Sequence, residues 1–277
     1  MNAPASTTTR VAAAVRRANA DGRAALVVYL TAGYPDLDTS LACMEAAVEA
    51  GADLLEVGFP YSDPLMDGPT IQAASQAALD RGYTPLDDFA LCERLTSAVD
   101  VPALVMTYYN LAWHFRGTDR LDDFAAAAQQ AGLAGAILPD LPASEGGPWR
   151  AAAARHDLAT VFLAAPSSPD DRVAAVAQAS NGFVYATSVL GVTGERSSLA
   201  ATAAPLVARI RPLAGDTPVC VGIGVSTGRH AAEVAGFADV VIVGSAAVRA
   251  AGEGGPEAIR RLVAELAEGC RVGYAAR

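Results

Sequence analysis

In Asp53-Leu54-Leu55-Glu56-Val57-Gly58-Phe59, the run from Leu54 to Phe59 reads as one short strand, apolar on both faces except for Glu56. A strand that meets solvent on one side alternates in polarity, whereas one covered on both sides stays apolar throughout. Period-two alternation puts Leu54, Glu56 and Gly58 on one face and Leu55, Val57 and Phe59 on the other. If helices cover the second face, Glu56 points toward the centre of whatever the strands enclose.

Seven further runs have the same character: Ala25–Thr31, Ala103–Tyr109, Gly135–Leu138, Thr160–Ala164, Phe183–Thr187, Val219–Ile223 and Val240–Val243. Leu54–Phe59 makes eight, and most are bounded by Gly or Pro. Between them lie alanine-rich segments with apolar residues at three- and four-residue spacing, among them Leu37–Ala50, Leu86–Ala98, Asp119–Ala131 and Pro256–Glu268. Gly51 and Gly132 stand where a helix C-terminal glycine is favoured. Strand-helix alternation along the whole chain, with no Pro/Ser-rich linker, predicts an α/β protein built as a single (β/α)8 TIM barrel. Two helices exceed the minimal eight: Val11–Ala20 before the first strand and Thr70–Asp80 after the second. A chain of 277 residues is compatible with one barrel domain, expected over 10–277, with 1–9 as a disordered N-terminal tail.

Every basic residue is an arginine; the chain has no lysine. That excludes a lysine Schiff base, a pyridoxal phosphate carried on this chain, and a P-loop. Thirty acids against 20 bases give a net charge of −10, which argues against nucleic acid or an anionic membrane as partner. Cys43, Cys92, Cys220 and Cys270 form no C-x-x-C pair, and His114, His156 and His230 have no ligand spacing, so no metal is expected. No apolar run reaches the ~18 residues of a membrane span. A cytoplasmic location is the expectation.

In such a barrel the chemistry lies at the strand C-terminal ends. Glu56 inside the barrel would be desolvated, its pKa raised and suited to proton transfer near neutrality, or else it is a core acid paired to an arginine. In the loop Pro60–Thr70, Asp67 either caps the helix that follows or folds back over the mouth beside Glu56. Three glycine groups, Gly191-Val192-Thr193-Gly194, Gly222-Ile223-Gly224 and Gly244-Ser245, end or follow the sixth, seventh and eighth runs. Each could be a tight turn. Together they read as a phosphate site of backbone amides and a helix N-terminus. Thr227 stands where a dinucleotide fingerprint would need its third glycine.

Leu55-Glu56-Val57-Gly58, Pro60-Tyr61-Ser62-Asp63-Pro64 and Asp67-Gly68-Pro69-Thr70-Ile71-Gln72 resemble the signature of tryptophan synthase α subunits. The resemblance continues through Thr107-Tyr108-Tyr109-Asn110, Pro139-Asp140-Leu141-Pro142, the Gly191 group and Gly244-Ser245-Ala246. It implies a lyase of tryptophan biosynthesis that splits indole-3-glycerol phosphate into indole and glyceraldehyde 3-phosphate. In this likeness Glu56 matches the acid/base, Asp67 the carboxylate facing the indole N–H, and Tyr185 a tyrosine beside the scissile bond. Tyr29, Met106, Tyr108, Ile137 and Ile242 match the pocket lining. Thr193, Gly194, Ile223, Gly224, Gly244 and Ser245 match the phosphate end. The implied partner is a β subunit bearing the pyridoxal phosphate, in a heterotetramer of two α and two β chains. Candidate interface residues are Pro60, Asp63 and their neighbours.

Ile223, Met66 and Val189 depart from the family pattern, where phenylalanine, a small residue and, in some members, arginine stand. A free-standing lyase of a secondary pathway would share the chemistry without the partner. An activator that only binds the β subunit would not need both carboxylates, and a phosphosugar isomerase would leave the indole-contacting pattern unexplained.

Overall fold

The computed structural model describes residues 9–187, 199–222 and 224–277. Thr193, Gly194, Val189 and Ile223, and all but the last residue of the 1–9 segment, lie outside the described residues.

Eight parallel strands form a closed barrel: β1 (Ala25–Thr31), β2 (Leu54–Gly58), β3 (Ala103–Met106), β4 (Gly135–Ile137), β5 (Ala159–Val161, continuing after Phe162 as Leu163–Ala164), β6 (Val184–Ala186), β7 (Val219–Val221) and β8 (Val240–Val243). Each strand pairs with its sequence neighbour, and β1 pairs with β8. The first part of β5 pairs with β4 and the second with β6, so Phe162 is the pivot between them. It interrupts the ladder because its amide donates to the Ser180 hydroxyl (3.1 Å).

The two-faced burial of the strands separates two cores. Leu55, Val57 and Phe59 pack outward with Leu26, Val28 and Val105 under the helices. Leu54 packs inward with Val27, Leu104, Cys220 and Val240. The first extra helix, α1 (Arg10–Ala20), is capped by the Thr9 hydroxyl, which accepts from the Ala12 amide. Its Val11, Ala14, Val15 and Ala18 join the inner cluster and so plug the barrel's N-terminal end.

The remaining helices are α2 (Leu37–Glu49), α3 (Pro69–Asp80), α4 (Pro85–Ala98), the short α5 (Tyr109–Trp113), α6 (Leu121–Gln130), α7 (Gly147–Arg155), α8 (Asp170–Ala179), α9 (Leu199–Ala214), α10 (Gly228–Ala235) and α11 (Ser245–Ala275). Gly132 ends α6 at φ +74, and a Cβ there would also meet Thr96 Oγ1 at 2.5 Å. α11 breaks at Gly255 (φ +57, ψ −149) before Pro256, which separates the two helical segments expected there.

One strand ends earlier than its apolar run. Ala103–Tyr109 is strand only to Met106, because the Asp140 carboxylate accepts the Tyr109 amide (2.9 Å) and starts α5 there. The other runs keep their places within two residues at either end.

Two aspartates just before strands tie the bottom of the barrel. Asp53, ahead of β2, accepts the Leu26 amide of β1 (2.9 Å) and a two-pronged ion pair from Arg23 (2.5 and 2.7 Å). Asp239, ahead of β8, accepts the Val219 amide of β7 (2.9 Å) and pairs with Arg211 and Arg277. All four cysteines are free and buried. Among the described residues no helix is long and apolar enough to cross a membrane.

Removing Asp53 strands a buried amide and a partly buried guanidinium. Asp53→Ala is therefore expected to lower unfolding stability by about 2 kcal/mol in urea titration. Asp38→Ala, which deletes the exposed pair to Arg94, should cost less than about 0.5 kcal/mol.

Candidate active site

At the C-terminal end of the strands the barrel opens into a cavity of about 410 Å³. Its deepest acid is Glu56, which β2 carries inward exactly where alternation requires. Tyr29 of β1 and Leu104 of β3 are its register partners. Glu56 is 2% exposed, and its Oε2 has no hydrogen-bond partner among the described residues. Among the described residues, the core ion pair left open by the sequence is not formed. Burial, reinforced by the nearby Asp67 carboxylate, pushes the Glu56 pKa up to about 8. An acid that would ordinarily be ionised is neutral here at pH 7.

Asp67 reaches the same cavity from the β2–α3 loop. The capping alternative fails: Gly68 is the N-cap of α3, and no side chain caps that helix. Burial raises the Asp67 pKa, and a hydrogen bond from the Tyr108 hydroxyl opposes it. The same hydroxyl accepts the Met66 amide (2.9 Å), so Tyr108 holds the loop and its carboxylate together. Tyr108 is buried, joins Asp67 through that hydrogen bond and is not among the residues that line the cavity.

Tyr108 is fixed in turn. It stacks on Tyr61 at 4.9 Å between ring centres. The Tyr61 hydroxyl accepts from Asn110 on α5 (3.1 Å). Asp140 anchors the start of that helix. The loop and strand-end motifs around Tyr61, Tyr108 and Asp140 thus form one support for Asp67.

Tyr29, Met106, Ile137, Leu163, Tyr185 and Ile242 give the cavity its apolar wall. Tyr29 and Tyr185 lie across glycines of the next strand. A Cβ on Gly58 would sit 2.0 Å from Tyr29 Oη, and one on Gly222 the same distance from Tyr185 Oη. Each glycine lies two residues beyond its tyrosine's register partner. Burial, then the Glu56 charge, pushes the Tyr185 phenol far up.

Gly224, Val225, Ser226, Gly244 and Ser245, from the ends of β7 and β8, also line the cavity. Gly244 is the N-cap of α11, which has no side-chain cap and no acid in its first turn. Its first amides are therefore free for an anionic ligand. Gly224 takes φ +86, which favours glycine there.

Sequence reasoning missed Met66, Ile71, Leu163, Ser226 and Arg249 on the cavity wall. Leu163 was legible from alternation along β5, and Arg249 from its four-residue spacing to Ser245. Met66 and Ser226 depend on loop conformation. His114, His156 and His230 stay apart, beside Asp119, Asp122 and Ser226 respectively.

Comparison with known proteins gives a consistent result. The family described as Tryptophan synthase alpha chain matches residues 15–274. The tryptophan synthase alpha chain of Streptomyces avermitilis is 49% identical over 261 residues, 92% of each chain. That of Leifsonia xyli subsp. xyli is also 49% identical over 261 residues, 94% of this chain and 98% of its own. A solved structure of Mycobacterium tuberculosis tryptophan synthase superposes with a TM-score of 0.87 at 46% identity, covering 96% of this chain and 99% of that one.

Glu56 couples stability to pH with a definite sign. The folded chain keeps the Glu56 proton up to about pH 8, whereas an unfolded glutamate releases it near 4.5. The folded state binds the extra proton between those values, so its stability is highest at the acid end. It falls as pH rises through the window, by about 1.4 kcal/mol per pH unit at the steepest. Glu56→Gln should flatten that slope and become more stable than wild type above the window. Urea unfolding on both sides of it is the measurement; an unchanged slope would show that Glu56 does not titrate there.

Proposed function

The chain belongs to the tryptophan synthase alpha chain family and cleaves indole-3-glycerol phosphate to indole and glyceraldehyde 3-phosphate in tryptophan biosynthesis; we propose that Glu56 and Asp67 carry out that retro-aldol step. The observation that carries the assignment is the buried Glu56 carboxyl, its Oε2 without a hydrogen-bond partner among the described residues and its pKa raised to about 8, with the Asp67 carboxyl lining the same cavity.

Breaking the carbon-carbon bond requires a place for its electrons. With no lysine to form an imine, the indole ring is the electron sink. Glu56, holding its proton at rest, donates it to indole C3, and the ring nitrogen takes the positive charge. Asp67 faces that N–H as a carboxylate and stabilises the cation as it forms. The ionised Glu56 then takes the proton of the glycerol hydroxyl as the carbonyl forms. The bond to C3 breaks, its electrons restore the aromatic ring, and Glu56 is neutral again. One carboxyl thus serves as acid and then as base, a cycle that an ordinary glutamate, ionised at pH 7, could not begin.

Tyr185 packs beside the scissile bond, and Tyr29, Met106, Ile137 and Ile242 hold the indole. Gly224, Gly244 and Ser245 receive the phosphate, supported by the uncapped amides of α11. Thr193, Gly194 and Ile223 are assigned to the same end on resemblance alone. The chain carries no pyridoxal phosphate; that cofactor lies on the β subunit with which it forms tryptophan synthase. A heterotetramer of two chains of each kind, a single domain over 10–277 and a cytoplasmic location complete the proposal.

With the β subunit present, Glu56→Gln should lower indole release at least about a thousandfold, and Asp67→Asn about a hundredfold. Wild-type turnover by Glu56→Gln would overturn the assignment. Because the neutral form of Glu56 starts the cycle, kcat/KM should fall as pH rises through about 8. A profile flat through that region would remove Glu56 as the resting proton donor.

A further inference from the structure

The cavity is lined by two acids, Glu56 and Asp67, and, among the described residues, by one cation, Arg249. Arg249 lies four residues after Ser245 on α11, so the two share a helix face. Helical side chains lean toward the N-terminus of their own helix, which carries the Arg249 guanidinium back toward the Gly244–Ser245 end.

Arg249 is exposed, and among the described residues it forms no salt bridge or hydrogen bond. Its position also runs against the helix. The N-terminal end of α11 carries partial positive charge, has no acid in its first turn, and would favour an anion over an arginine nearby. Arg23 and Arg211, at the other end of the barrel, are by contrast paired to Asp53 and Asp239. An unpaired cation beside uncapped amides is an unfavourable arrangement until an anion arrives.

We propose that Arg249 is a substrate-positioning residue that contacts the phosphate of indole-3-glycerol phosphate and sets its direction in the cavity. The proposal rests on reading the Gly224, Gly244 and Ser245 end as the phosphate site. A guanidinium offers paired N–H donors that match phosphate oxygens, which the backbone amides alone supply from one side only. Its charge also counters the field of a chain at −10, which otherwise repels a phosphate dianion. Phosphate is drawn to Arg249 and repelled by the Asp67 carboxylate, which turns the indole toward the two acids.

The test uses the complex with the β subunit and the variants Arg249→Met and Arg249→Lys, each checked for wild-type thermal unfolding. Arg249→Met should raise KM for indole-3-glycerol phosphate about tenfold with kcat within about twofold, and Arg249→Lys should recover part of the loss. The decisive readout is a pair of competitive inhibitors, indole-3-propanol phosphate and indole-3-propanol. Arg249→Met should weaken the phosphate about tenfold and leave the alcohol unchanged. Equal weakening of both probes would show that Arg249 only shapes the cavity, and no change in either would show that it makes no contact; both overturn the proposal. If wild type bound the two probes equally, the phosphate reading of this end would itself fail, a result separable from the variant data.

Discussion

A carboxyl group enclosed by an apolar barrel, with no cation paired to it among the described residues, is the constraint on which the rest of this molecule is arranged. Glu56 is held on β2 between Tyr29 and Leu104, and burial keeps it neutral. Ionised, the same group would pull water or an arginine into the core. The plug formed by α1 at the bottom and the inner cluster around Leu54, Leu104 and Cys220 keep water from reaching it from below. A barrel open at that end would solvate Glu56 and return it to ordinary carboxylate behaviour, which is why the extra helix ahead of the first strand matters to the chemistry at the far end.

Asp67 needs a different environment and receives it through a different construction. It has to remain a carboxylate while sitting close to Glu56, so it lies on a loop, partly open, with the Tyr108 hydroxyl favouring its charged form. The loop's position depends on a relay from Asp140 through α5 and Asn110 to Tyr61, and on the stacking of Tyr61 against Tyr108. Burial raises the pKa of both acids, and the Tyr108 hydrogen bond acts against that rise at Asp67 alone.

The strands were legible because each is covered on both faces, and a continuous apolar run is the mark of that. Their ends were less so. Tyr109 is as apolar as the residues of β3, yet it begins a helix because a carboxylate 31 residues later accepts its amide. The break at Phe162 follows from the Ser180 hydroxyl, which takes the amide that a ladder would have used. Of the site, Glu56 and the glycines at the ends of β7 and β8 could be read from alternation and position. The two roles open to Asp67 could not be separated, since capping and cavity-facing conformations share one sequence until Gly68 is seen to cap α3.

By itself, the sequence determined the barrel, the inward direction of Glu56 and the need for a reaction without an enzyme imine. These follow from period-two alternation on doubly buried strands and from the absence of lysine. Only the tertiary structure decided the protonation of Glu56, the partner of Asp67 and the place of Arg249 in the same cavity wall. Desolvation is a property of every surface packed around a group, and loop and helix positions are set by side chains distant in the chain, so neither can be read from local pattern.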